Sequence, residues 1–285
     1  MRRKRVRLGI WISIVLGAGA SLSDVAAAAP IEFRQIADRA LGAPCSRSVA
    51  LVLAAAGSED EQERVGGEGD VSIERAGSDP FAYGVALEII AAHYHAGLAA
   101  YEAGEREAGA QMFAHGFAEV YSELEGLLRE RGVTELGGRL NATVERAAAG
   151  APNAEVRQAA EAVFAALTAA QRGAPPSQVE AQLVRTQVLV EMLDRAAAQY
   201  QSAMRASDLE SYLDGFGFYA SARASADGVL AWLTPRNADA AREIRTALEL
   251  LARAYPSARR PADPSIDADA LVVAASRAKL AVSAM

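Results

Sequence analysis

The chain has 285 residues, 51% of them hydrophobic and 6% aromatic, with 29 basic against 36 acidic side chains and a net charge of −7. An acidic chain with dispersed arginines lacks the clustered cations that nucleic acid binding draws on, so no nucleic acid partner is expected. Its single cysteine, Cys45, leaves no intramolecular disulfide and no cysteine-based metal site.

Arg2, Arg3, Lys4, Arg5 and Arg7 open the chain, and the apolar run LGIWISIVLGAGA follows. Small residues up to Ala28 complete the three-part layout of a cleavable secretory signal, which predicts a signal peptide over residues 1–28. The apolar run falls short of the ~20 residues a spanning helix needs. Losing this segment leaves 24 basic against 35 acidic residues, a net of −11, with Lys279 the one lysine left. No polybasic patch for a membrane surface survives, and no later segment is apolar enough to span a bilayer. The mature chain is therefore expected in the periplasm, without stable membrane insertion. Pro44 before Cys45 argues against a lipidated cysteine.

Residues 29–79 begin with two short apolar stretches, IEFRQIADRAL and SVALVLAAAG, read as short helices. The charged, glycine-rich SEDEQERVGGEGDVSIERAGSDP that follows buries too little to fold alone and reads as a flexible linker. From Pro80 to Pro256 the pattern is helical almost throughout. Asp79 before Pro80 is a cap followed by a first-turn proline. Ser177-Gln178-Val179-Glu180 and Ser207-Asp208-Leu209-Glu210 both fit the capping box, and Asn237 can cap the helix that stops at Tyr255-Pro256. These last three starts predict successive helices of about 25 residues, or ~37 Å. Brief turns between long helices imply antiparallel neighbours. The fold expected is all-α: an up-and-down bundle over 80–256, with a further helix in 257–285.

All three histidines fall within AAHYHAGLAAYEAGEREAGAQMFAHGFAEVY, residues 91–121. Helical spacing puts Tyr83, Leu87, Ile90, Tyr94, Leu98 and Tyr101 on one core stripe, with His93 at its boundary and His95 off its opposite edge. On the next helix, expected over 106–131, the stripe is Phe113, Phe117, Val120, Leu124 and Leu127, with His115 and Glu119 one turn apart on its flank. His93, His115 and Glu119, joined by Asp214 from the second half, are a candidate ligand set for iron, zinc or copper. The same residues also read as hydrogen-bonded members of an ordinary helical hairpin.

Residues 87–130 resemble an exported proteobacterial family of helical proteins, through His93, Gly97, Gly104, His115, Glu119 and Tyr121. MLDRAAAQYQSAMRASDLESYLDGFGF is similar to a later helix pair of that family, with Tyr200, Tyr212, Asp214, Gly217 and Phe218 in the matching places. More distantly, these regions resemble imelysin-like iron-uptake proteins and the extracytoplasmic bundles of iron permeases. The resemblance implies metal handling associated with iron uptake, with a membrane permease or another periplasmic protein as partner. Two family marks are missing. Ala91 and Ala96 stand where the imelysin-like motif has Gly and Glu, and the Arg-Glu-x-x-Glu motif of permeases is absent.

An alternative reading is a non-catalytic interaction or adaptor module, because Gly97, Tyr101, Ala108 and Phe113 loosely follow a tetratricopeptide hairpin. That hairpin does not recur at the period a repeat array needs. The chain has no GxSxG, HExxH or glycine-rich phosphate loop, and pairs such as Glu123/Glu125 and Asp208/Glu210 read as helix-surface charge. No enzymatic activity is expected.

Overall fold

The computed structural model describes residues 73–285 apart from Ser265. The signal peptide, the two short helices and most of the linker lie outside the described residues. All regular elements among the described residues are helical. They are α1 (Ile73–Ala76), α2 (Pro80–Glu102), α3 (Arg106–His115), a π-helical segment (Gly116–Tyr121) leading into α4 (Ser122–Glu130), α5 (Leu136–Ala148), α6 (Asn153–Ala170), α7 (Ala181–Ala206), α8 (Leu209–Leu233), α9 (Ala238–Ala254) and α10 (Ala268–Ser283). Residues 73–79, expected in the linker, instead form α1 and a turn, with Ala76 fully buried.

The helices close into two bundles that share one member. α2 packs on α3, α3 on α5, α5 on α6, and α6 returns to α2. In the second half, α7 packs on α8, α8 on α9, α9 on α10, and α10 returns to α7. A different face of α2 lies against α7 and α8 and joins the two halves. Neighbours run antiparallel: Gly97 faces Gly109 while His93 faces Gly116, and Gly217 faces Ala92 while Ser221 reaches Glu88.

The sequence of α2 explains this role. It is apolar over most of its surface, with Glu88 and His95 sharing one half-buried stripe, and a helix so poor in polar positions is buried on most sides. Tyr83, Leu87, Ile90 and Tyr94 enter the first bundle's core, whereas Val85, Ile89 and Ala92 enter the second's. The single stripe expected from helical spacing is thus one of two core faces. His93, expected at a boundary, is only 2% exposed, with His115 and Gly116 of the next stretch of chain packed against it.

Buried tyrosines tie helices together through backbone carbonyls. The Tyr83 hydroxyl donates to the carbonyl of Ala170 at the end of α6 (2.9 Å), and Tyr94 donates to Leu140 in α5 (3.0 Å). Tyr101 donates to Ala151 (2.8 Å), Tyr212 to Ser257 (2.9 Å) and Tyr255 to Ala196 in α7 (2.8 Å). Each phenol thus fills core volume and finds a buried acceptor for its hydroxyl.

Some helix starts follow the expected caps. Asp79 accepts from the Phe81 amide and Asn237 from the Ala240 amide, both at 2.9 Å. The two capping boxes do not form. Ser177 instead accepts from the Val179 amide in a turn, and α7 starts only at Ala181. At α8 the cap is Asp208, which accepts from the amides of Glu210 and Ser211, while Ser207 adopts a left-handed conformation (φ 57°). The third long helix, α9, has 17 residues rather than about 25, because Pro256 stops it early.

Candidate metal centre

His93 comes from the middle of α2 and His115 from the last residue of α3. Their rings meet edge to face with centroids 6.4 Å apart, and both side chains are 2% exposed. The approach depends on Gly116, where a Cβ would stand 2.9 Å from the His93 Cβ. One turn further along the hairpin, Gly97 and Gly109 bring the two backbones together in the same way.

Each ring is held through Nδ1. The His93 Nδ1 lies 2.9 Å from the carbonyl oxygen of Ile89. A carbonyl can only accept, so Nδ1 carries the proton and Nε2 is the basic nitrogen of the neutral ring. The His115 Nδ1 lies 3.4 Å from Oε1 of Glu210, reaching in from the first turn of α8. A carboxylate beside Nδ1 fixes that ring in the same sense. Both Nε2 atoms are buried. Two imidazoles bound to one ion at M–N distances of about 2.0–2.1 Å and a tetrahedral angle place their centroids roughly 5 Å apart. The observed 6.4 Å is wider, so the two rings would have to close by about 1 Å to share a tetrahedral ion.

Glu119 and Asp214 occupy different places around this pair. Glu119 lies in the π-helical segment and is partly exposed. In a π turn with i→i+5 bonding, four residues fall short of a full turn, so Glu119 does not stack directly over His115. Asp214 is 7% exposed and stands one turn beyond Glu210 on α8. Three residues later, Gly217 packs so tightly on α2 that a Cβ would meet the Ala92 carbonyl oxygen at 2.3 Å. Asp214 therefore shares the α8 face turned toward α2. It also adds to burial and to Tyr212 in holding the Tyr255 phenol well above its usual range.

Among the described residues, no group of three or more His, Cys, Asp and Glu side chains is gathered closely enough to hold an ion as it stands. The structure joins His93 to His115 and adds Glu210, a residue the sequence reading assigned to a capping box. That Glu210 follows a cap was legible; that its side chain reaches His115 depends on a contact between distant parts of the chain.

His95 takes no part in this cluster. Its ring stacks on Phe164 of α6 with centroids 4.2 Å apart, and burial lowers its pKa to about 4.

The same phase change alters the second stripe. Phe113, Phe117 and Leu124 are buried as expected, but Tyr121 and Leu128 are buried where Val120 and Leu127 were expected. The wider π turn slips the register by about one residue. No described helix is long and apolar enough to cross a membrane. Compared with known protein families, curated proteins and solved structures, the chain matches none.

Proposed function

We propose that this is an exported, non-catalytic protein that carries a transition-metal ion in the periplasm, taking it between α2, α3 and α8. The observation that carries the reading is the pair of buried imidazoles, each held through Nδ1 so that Nε2 is the basic nitrogen. In this reading His93 and His115 are the nitrogen ligands. Glu210 orients His115 through Nδ1, a partnership that makes the imidazole more basic. Asp214 on α8 and Glu119 in the π-helical segment are the carboxylates that would move in as oxygen ligands when the ion binds. Imidazole with carboxylate suits iron, zinc or copper. Association with iron uptake, and a permease or another periplasmic protein as partner, extend the same reading along the family resemblance.

Isothermal titration of the chain with Zn²⁺, Cu²⁺ and, without oxygen, Fe²⁺ tests it. Saturable binding at one ion per chain is expected for wild type, with a loss of at least about tenfold in both His93→Ala and His115→Ala. Glu210→Gln, which keeps the size of the side chain, should weaken binding by about 10–100-fold, as expected of a residue that positions a ligand. Binding that survives both histidine substitutions, or no binding at all, would defeat the proposal. The protein would then read as an interaction module.

A further inference from the structure

On the far side of α2 from the histidine pair, a cleft of about 860 Å³ opens between α2, α6, α7 and α8. Its size falls within the ~300–1,000 Å³ typical of small-molecule sites. We infer that this cleft binds a small organic amine, with the ammonium against Glu88 and an apolar or aromatic body along the His95–Phe164 wall.

Glu88 lies on the α2 stripe that faces the cleft, where the neighbouring positions Gly84 and Ala91 are small. Its carboxylate accepts a hydrogen bond from the Ser221 hydroxyl on α8, so the head group is fixed from the opposite wall. Burial pushes the Glu88 carboxyl above its usual range and the Ser221 bond offsets only part of that. A carboxylate in an apolar-walled cleft is a site where an incoming cation gains more than it would in water.

The other groups around it complement an amine rather than an anion. His95, stacked on Phe164, offers a flat aromatic wall. Leu87, Val188 and Val229 supply apolar surface deeper in the cleft. Arg185, the cation among the lining residues, is exposed.

Three probes of one skeleton separate the chemistries: 2-phenylethylamine, 2-phenylethanol and phenylacetate. Titration calorimetry should show saturable binding of the amine, with the alcohol and the acid at least about tenfold weaker. Glu88→Gln should remove that preference. Because a buried substitution can disturb folding, Gly228→Leu is the second variant. No atom lies within 4 Å of a Cβ built at Gly228, and that glycine lines the cleft. The added side chain should block the amine while leaving the melting temperature equal to or above wild type. Binding of Zn²⁺ at the histidine pair should be unchanged in Gly228→Leu, so the two sites succeed or fail independently. The inference is overturned if the three probes bind equally, if none binds saturably, or if Gly228→Leu folds and still binds the amine as wild type does.

Discussion

Two glycines of α8 should respond to the same substitution with opposite signs. Gly217 is where α8 crosses α2: an added Cβ would lie 2.3 Å from the Ala92 carbonyl oxygen and 3.2 Å from the Ala96 Cβ. The closest comfortable carbon–oxygen approach is about 3.3 Å. Gly217→Ala therefore needs α8 to move about 1 Å from α2, and the obstacle is backbone, which cannot rotate away. A radial gap of that size forfeits about a quarter to a half of each dispersion contact it opens. Overpacking costs typically run to about 1–3 kcal/mol, and a rigid obstacle places this one at the upper end. The gain of about 1 kcal/mol from replacing a helical glycine offsets part. A net loss of about 1–2 kcal/mol corresponds to a melting temperature roughly 2–8 °C lower for a domain of this size. At Gly228 the added Cβ meets nothing within 4 Å, so only the propensity gain remains, and Gly228→Ala should melt about 2–4 °C higher. Circular dichroism melts of the two variants beside wild type check both signs. A Gly217→Ala protein as stable as Gly228→Ala would refute the idea that this crossing is set by backbone contact.

Further outcomes follow from other sites. A Cβ at Gly215 would stand 1.8 Å from the Tyr255 hydroxyl, so Gly215→Ala should destabilise by about 2–3 kcal/mol. Tyr255→Phe alone should cost about 1 kcal/mol for its hydrogen bond to Ala196, and in the double variant the losses should sum to less than their total. Urea titrations completing the double-mutant cycle check this, and simple additivity would contradict it. If His93 and His115 both ligate, protons compete at two nitrogens, and Zn²⁺ affinity should fall by up to about a hundredfold per pH unit below ~6.5. A flat profile between about pH 7 and 5.5 would remove both histidines from the site. His95 has a folded pKa of about 4, below its unfolded ~6.5, so the unfolded chain takes up the proton first. Its contribution is neutral above about pH 6.5, and between there and about pH 4 the fold loses up to roughly 3 kcal/mol, less for the part of the ring that water reaches. Glu88 in the same cleft has a pKa raised by burial, so it acts in the opposite sense as the pH falls through that raised value, within the same window. Comparing His95→Phe with wild type in urea melts at several pH values isolates the term, and parallel profiles would sink it.

Local chemistry was the legible part of the fold. Asp79 before Pro80, Asn237 as a cap and the stop at Pro256 are decided within a few residues of backbone, and the structure has all three. The all-α class follows from the same local pattern. What depended on distant partners was not legible. Spacing on α2 shows one apolar stripe, yet the helix serves two cores, because the alanines and glycine opposite that stripe are filled by α8 rather than by solvent. The π-helical segment leaves no mark in composition; it forms where Gly116 closes on His93, a contact made across a hairpin. For the site, residue type and spacing pointed to His93 and His115, which do meet. Glu210 was missed because Ser and Glu three residues apart have a local use, and a long-range contact took the glutamate instead.

The tyrosines that tie helix to helix make the protons of those phenols part of the architecture. A phenolate cannot donate to a carbonyl oxygen, so ionising Tyr94 or Tyr255 would delete a tie and set a negative charge against an oxygen. Burial holds both phenols well above their usual range, and Tyr83 and Tyr200 are raised as well. Groups whose pKa is raised on folding stabilise fully below their unfolded value, near ~10, and lose that contribution as the pH climbs through the folded one. Alkali therefore acts on this protein as a denaturant with a built-in dye. The share of near-ultraviolet phenolate absorbance that comes from Tyr94 and Tyr255 should stay absent while the bundles hold and appear as they come apart, so that for those two rings colour and collapse are the same event.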